Sequence, residues 1–152
     1  MSEHLPLPRL YRPRGARIAA GVAAVTLVAA MAVLWLLLSA DARAGFTVSQ
    51  RITLLGFLAA HVAVLYAVYR TSARADENGL TVVNGYRVHR YEWAEVVRVS
   101  LGPHRPWALL DLADGSTASV MAIQSADKQL AARSVRELAS VLAHRSSTDH
   151  DT

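Results

Sequence analysis

Cysteine is absent from all 152 residues of this chain. Disulfides, thiol nucleophiles and cysteine-based metal sites are therefore excluded, and thiol usage says nothing about compartment. Lysine is nearly absent too, with Lys128 alone beside fifteen arginines. Acidic residues are scarce in the first half: up to Ala75 only Glu3 and Asp41 stand against eight arginines, a net +6, and the remainder carries −2. Catalytic signatures are missing as well. There is no HExxH spacing, phosphate loop, nucleophile elbow or Ser/His/Asp arrangement. His89, Glu92 and Glu95 lie on a strand-to-turn path that does not converge on a metal. No enzyme, cofactor or metal site is expected.

What the chain does have is two long uncharged apolar runs, residues 18–39 and 52–69. At about 1.5 Å of rise per residue the first spans the roughly 30 Å hydrocarbon layer, and the second just reaches across. Backbone polar groups in lipid must be satisfied internally, so each run is expected to be a helix and the pair a transmembrane hairpin. Arg9, Arg12, Arg14 and Arg17 precede the first run, and Arg70 and Arg74 follow the second. Under the positive-inside rule both termini are cytoplasmic, residues 1–17 form a basic cytoplasmic segment, residues 40–51 form an external loop, and the protein is multi-pass in the cell membrane. The arginines cluster at helix ends rather than along one polar face, which points to topology and the lipid bilayer, not to nucleic acid. Ala40-Asp41-Ala42 resembles a signal cleavage site, but a signal core is about 7 to 15 residues long, so the first run is expected to stay as an anchor.

Within the second run Gly56, Ala59, Ala63 and Ala67 recur at helical spacing, and Ala16, Ala19, Ala23 and Ala30 make a similar stripe in the first. Small residues at that spacing allow close helix packing or self-association. His61 is the one ionisable residue inside either run. A proton relay would need an acid or a second histidine there, so the expectation is a neutral imidazole bonded to a hydroxyl or carbonyl.

From Asp76 onward the pattern changes to short β-prone runs, residues 80–83, 86–91, 96–101, 107–112 and 116–123. Val83-Asn84-Gly85 and Ala113-Asp114-Gly115 are each expected to form three-residue hairpin loops closed by a left-handed glycine. The first would pair Val82 with Tyr86 and Leu80 with Val88. Ser125 is expected to cap a helix from Ala126 to about His144, with Asp127 complementing the dipole in its first turn. Its inward stripe is Leu130, Ser134, Val135, Leu138, Val141 and Leu142. Residues 146–152 have no apolar periodicity and read as a disordered tail. The expected fold is thus a membrane α-helical hairpin followed by a small α+β domain, residues 76–145, with a curved antiparallel sheet and a C-terminal capping helix.

The lead-in Asp76-Glu77-Asn78-Gly79-Leu80, the Asn84-Gly85 pair, an Arg-bearing strand, Glu92-Trp93-Ala94-Glu95-Val96 and a closing helix resemble the bacterial PH-like domain family. More narrowly, they resemble small actinobacterial two-helix membrane proteins with the PH domain of low molecular weight protein antigen 6. The resemblance implies that Trp93 and Val96 are core anchors between two strands. Five strands are expected, against the seven of a complete PH barrel. It also implies a non-catalytic module that recruits or scaffolds proteins at the membrane, through a protein partner or self-association. Alternatives are a small membrane component regulating a transport or envelope complex, and binding of anionic lipid headgroups by Arg87, His89 and Arg90. Trp107, following the stiff loop Gly102-Pro103-His104-Arg105-Pro106, is either a core residue or an exposed partner contact.

Overall fold

The computed structural model describes residues 7–148, in two compact units. Residues 16–69 form the helical unit, and the residues before and after them together form the second.

The helical unit holds most of α1 (Arg14–Leu37), the short α2 (Ala40–Gly45) and most of α3 (Val48–Arg70). With 24 and 23 residues, α1 and α3 are long and apolar enough to cross a membrane, at about 36 and 35 Å. Ser39 caps α2 by accepting from Ala42 N. Thr47 and Gln50 open α3 with a reciprocal box: Gln50 N donates to Thr47 Oγ1, and Thr47 N donates to Gln50 Oε1. The Arg17 guanidinium lies 4.5 Å from the Tyr69 ring centre, joining the start of α1 to the end of α3. Arg51 closes the other end of the pair, above Trp35 and donating to the Arg43 carbonyl.

Among the described residues the second unit has seven strands, two more than the residue pattern suggests. Strands β1 (Arg9–Tyr11), β2 (Ser72–Ala75), β3 (Gly79–Asn84) and β4 (Arg87–Glu92) form one antiparallel sheet in that order. A second sheet contains β5 (Val96–Ser100), β6 (Trp107–Leu112) and β7 (Thr117–Gln124). The domain therefore does not begin at residue 76. Its first strand precedes α1, with Arg9 opposite Ala75, Leu10 opposite Arg74 and Tyr11 opposite Ala73. In sequence, the helical pair sits inside the first strand connection rather than ahead of the domain. Both added strands are short, and one is alanine-rich, so neither carries the β-branched signal of the other five.

One hairpin register also differs from expectation. Asn84 pairs with Arg87, Val82 with His89 and Leu80 with Tyr91, leaving Gly85-Tyr86 as a two-residue turn. Gly85 has φ of +61°, the positive value needed at the first position of a type II′ turn, which follows strand twist. Asn84 is withdrawn from the turn because its carboxamide is used elsewhere. Its Nδ2 donates to Ser119 O at 2.6 Å and its Oδ1 accepts from Met121 N at 3.1 Å, stitching the first sheet to β7. The second hairpin follows the expected three-residue loop: Leu110 faces Ala118, and Gly115 has positive φ.

The closing helix α4 (Gln129–Thr148) starts later than expected. Ser125–Asp127 is a 3-10 turn, and Lys128 at φ +46° interrupts the helical path. Ser125 does not cap α4; its N and Oγ both donate to Pro106 O. Residues 149–152 of the expected tail lie outside the described residues. The core joins Tyr11, Ala73, Ala75, Leu80 and Val82 to Val96, Val99, Leu110, Val120 and Ile123, covered by Ala131, Leu138 and Leu142 of α4.

Candidate functional site

The β-strand pleat decides which of the basic residues act together. Opposite residues in antiparallel strands share a face, and neighbours along one strand alternate. Arg87 and His89 thus project on the face of Val82 and Leu80, where His89 stacks on Tyr91 at 6.2 Å. Arg90 projects on the other face, in a cross-strand row with Thr81 and Arg74. The set Arg87, His89 and Arg90 is therefore divided between the two faces of β4, although all three are exposed. Arg74 is the residue that sequence reasoning missed. It was legible only as a flanking charge of the second apolar run, yet the alternation Ala73-Arg74-Ala75 places it outward between two fully buried alanines.

Arg74, Thr81 and Arg90 line an open polar concavity of about 760 Å³ that extends to Asp76, Glu92 and Glu95. The acidic side of this concavity is tied into local backbone. Asp76 Oδ1 accepts from Asn78 N and Gly79 N, and Glu95 Oε2 accepts from Glu92 N within a capping box. Burial, then the Glu95 charge, raises the Tyr91 phenol above its usual pKa. Among the described residues, no three His, Asp or Glu side chains gather as a metal site.

Strand β4 is also a free edge. In an antiparallel ladder, pairs that exchange hydrogen bonds alternate with pairs whose backbone groups point away. The two-residue turn makes Asn84 and Arg87 a bonded pair, so Val82–His89 and Leu80–Tyr91 are bonded as well. On the other side of β3, Gly79 O accepts from Asp76 N, which fixes the same phase independently. The backbone groups of Val88 and Arg90 therefore point outward, and among the described residues β4 pairs with no strand other than β3. Glu92 N, next in the alternation, is closed off by Glu95.

The remaining residues singled out from sequence are spread through the molecule. Trp93 is half-buried against the core and its Nε1 donates to Asp76 O at 3.0 Å, and Val96 is buried. Trp107 is half-buried at the start of β6, opposite Gln124. His61 is exposed on α3, with Nδ1 2.7 Å from the Phe57 carbonyl one turn earlier.

Residues 70–140 match the bacterial PH domain. That span covers six of the seven strands, from β2 onward, and more than half of α4. Uncharacterized proteins from Mycobacterium bovis and from two strains of Mycobacterium tuberculosis are each 37% identical to this chain over 89 residues, 59% of this chain and 56% of the relative. The matched region thus spans little more than half the length of these relatives. No solved structure matches the chain at a significant level.

Proposed function

We propose that this bacterial PH domain is an interaction module, held at the cytoplasmic face of the cell membrane by the two helices inserted between its first and second strands. The observation that carries the proposal is the β1–β2 pairing, which brings the chain before α1 and the chain after α3 into one sheet. If both helices cross a bilayer, that pairing requires both of their outer ends on the same side. The arginine bias before α1 and after α3 supports the cytoplasmic side. Support for a membrane comes from the helices themselves, whose exposed residues include Val22, Val25, Leu36, Ile52, Phe57 and Val64. Contiguous apolar surface of that extent is unfavourable in water.

The module is non-catalytic in this proposal and acts by recruiting protein. Transport regulation through His61 has less support, because the imidazole is engaged by its own helix at Phe57 O. A headgroup site built from Arg87, His89 and Arg90 has less support as well, because the pleat turns Arg90 away from the other two.

Single cysteines test the arrangement cleanly in a chain that has none of its own. Phe46→Cys should react with an impermeant thiol reagent in intact cells, whereas Asp114→Cys should react only after the membrane is opened. Reaction of Asp114→Cys in intact cells would place the domain outside and overturn the proposal.

A further inference from the structure

The free edge of β4 has a chemistry that specifies what it would take. Its outward backbone groups, those of Val88 and Arg90, form a short ladder template that ends where Glu95 seals Glu92 N. Basic side chains lie to both sides of that template: Arg87 and His89 on one face, Arg90 with Arg74 behind it on the other. Val88 is 50% exposed between them. No ion pair is made by Arg74, Arg87 or Arg90 among the described residues, where Glu137 takes both salt bridges, with Arg9 and Arg133. Sheet edges with unpaired N–H and C=O groups bind extended segments, with backbone bonds supplying affinity and alternate side chains supplying selectivity. An added strand would set its own alternating side chains beside Arg87 and His89 on one face and Val88 and Arg90 on the other.

We infer that β4 receives an extended acidic segment of a partner protein by strand addition, with acidic side chains facing Arg87, His89 and Arg90 and an apolar one beside Val88. This rests on the recruitment function proposed above and gives it a surface and a partner chemistry. A second copy of β4 is a poorer occupant, because it would bring a second Arg87, His89 and Arg90 set to the same seam, and like charges across a strand pair are unfavourable. The acids around the concavity restrict the attractive stretch to residues 87–90, since Glu92 and Glu95 would repel an acidic segment running further.

The test uses the full chain in lipid nanodiscs and three synthetic peptides: one of Glu residues with a single central Val to sit beside Val88, one with Lys in place of Glu, and one with the acidic sequence interrupted by Pro. The acidic peptide should bind, and it should slow hydrogen exchange at the Val88 and Arg90 amides while leaving His89, already bonded to β3, unchanged. The Lys and Pro peptides should not bind. Arg87→Gln and Arg90→Gln should each weaken binding by about two- to fivefold, as expected for exposed ion pairs. Equal binding of the Pro peptide, or binding without protection at Val88 and Arg90, would overturn strand addition. Protection that appears without peptide and grows with protein concentration would instead identify a second copy as the occupant. A photo-crosslinker at His89, compared in cells with one at Arg136 on α4, separates the two levels of the argument. Protein captured only from Arg136 would sink the edge site and leave recruitment standing, and capture from neither would remove recruitment itself.

Discussion

Asp127 and Gly15 are 112 residues apart in sequence and joined by a 3.1 Å hydrogen bond from the glycine N–H to Oδ1, while Oδ2 accepts from Arg14 N at the same distance. The carboxylate that precedes α4 thus caps the first turn of α1. Helix N-termini leave donors unpaired and favour negative charge, so this placement suits Asp127 better than the α4 dipole role its sequence position suggests.

Asp127→Ala should therefore lower the stability of the full chain by about 0.5 to 2 kcal/mol, the usual cost of losing an N-cap. Asp127→Asn should recover only part of it, because the carboxamide oxygen can accept one of the two bonds and its NH2 group cannot accept the other. Denaturant melts of the protein in detergent check both, and equal losses in the two variants would show that charge, not capping geometry, matters there.

A fragment of residues 76–145 lacks β1 and β2 and should not unfold cooperatively, even though it contains most of the family match. Removing two strands exposes the face of Leu80 and Val82, both 1% exposed in the whole domain. Joining residues 7–13 to residues 71–148 through a flexible linker should restore a cooperative thermal transition. A sharp transition in the shorter fragment would contradict the role given to β1.

Gly79 is required by close approach. A Cβ at this position would run into the Tyr91 carbonyl of the neighbouring strand. Gly79→Ala should cost about 1 to 3 kcal/mol, the range for forcing atoms into a packed site. Asn78→Ala should cost less, because Asn78 lends the turn only a backbone donor. Similar melting of the two variants would place the constraint elsewhere.

Tyr11 should give the domain an alkaline limit. Burial, and secondarily the Glu137 charge, pushes its phenol from the usual 10.0 to about 12. The folded state keeps the proton longer than the unfolded one. The contribution is therefore complete below pH about 10 and declines as pH rises from about 10 to 12, at up to about 1.4 kcal/mol per pH unit. Tyr11→Phe should remove that slope. At neutral pH it should cost little, because the Tyr11 hydroxyl is buried without a hydrogen-bond partner among the described residues. Phenolate absorbance and melts across this range measure both effects.

The sequence was informative where side-chain pattern alone decides structure. The runs β3 to β7 show alternation or turn chemistry strong enough to read, and the two apolar helices are set by length and composition. It was uninformative where a distant partner decides. Arg9-Leu10-Tyr11 lies between Pro8 and Pro13 and becomes a strand because Ala73–Ala75 offer it a ladder. Asn84-Gly85 reads as the turn itself until Ser119 and Met121 claim the Asn84 carboxamide and shift the register. That shift sets which way Arg87, His89 and Arg90 face. The free edge of β4 followed from this register, not from composition.

Because β1 is synthesised first and its mate β2 follows only after residues 12–71, the domain has a built-in order of events. The opening strand must wait, unpaired, while both apolar helices are made and placed. It can be used only once the chain that follows α3 has returned to it. If both helices span a bilayer as proposed, a molecule whose second helix failed to insert would hold β1 and β2 on opposite sides of the barrier and be left with an open core. Such a molecule would be a substrate for quality-control proteolysis. Correct insertion and correct folding would then be read out by the same closure, with no separate sensor.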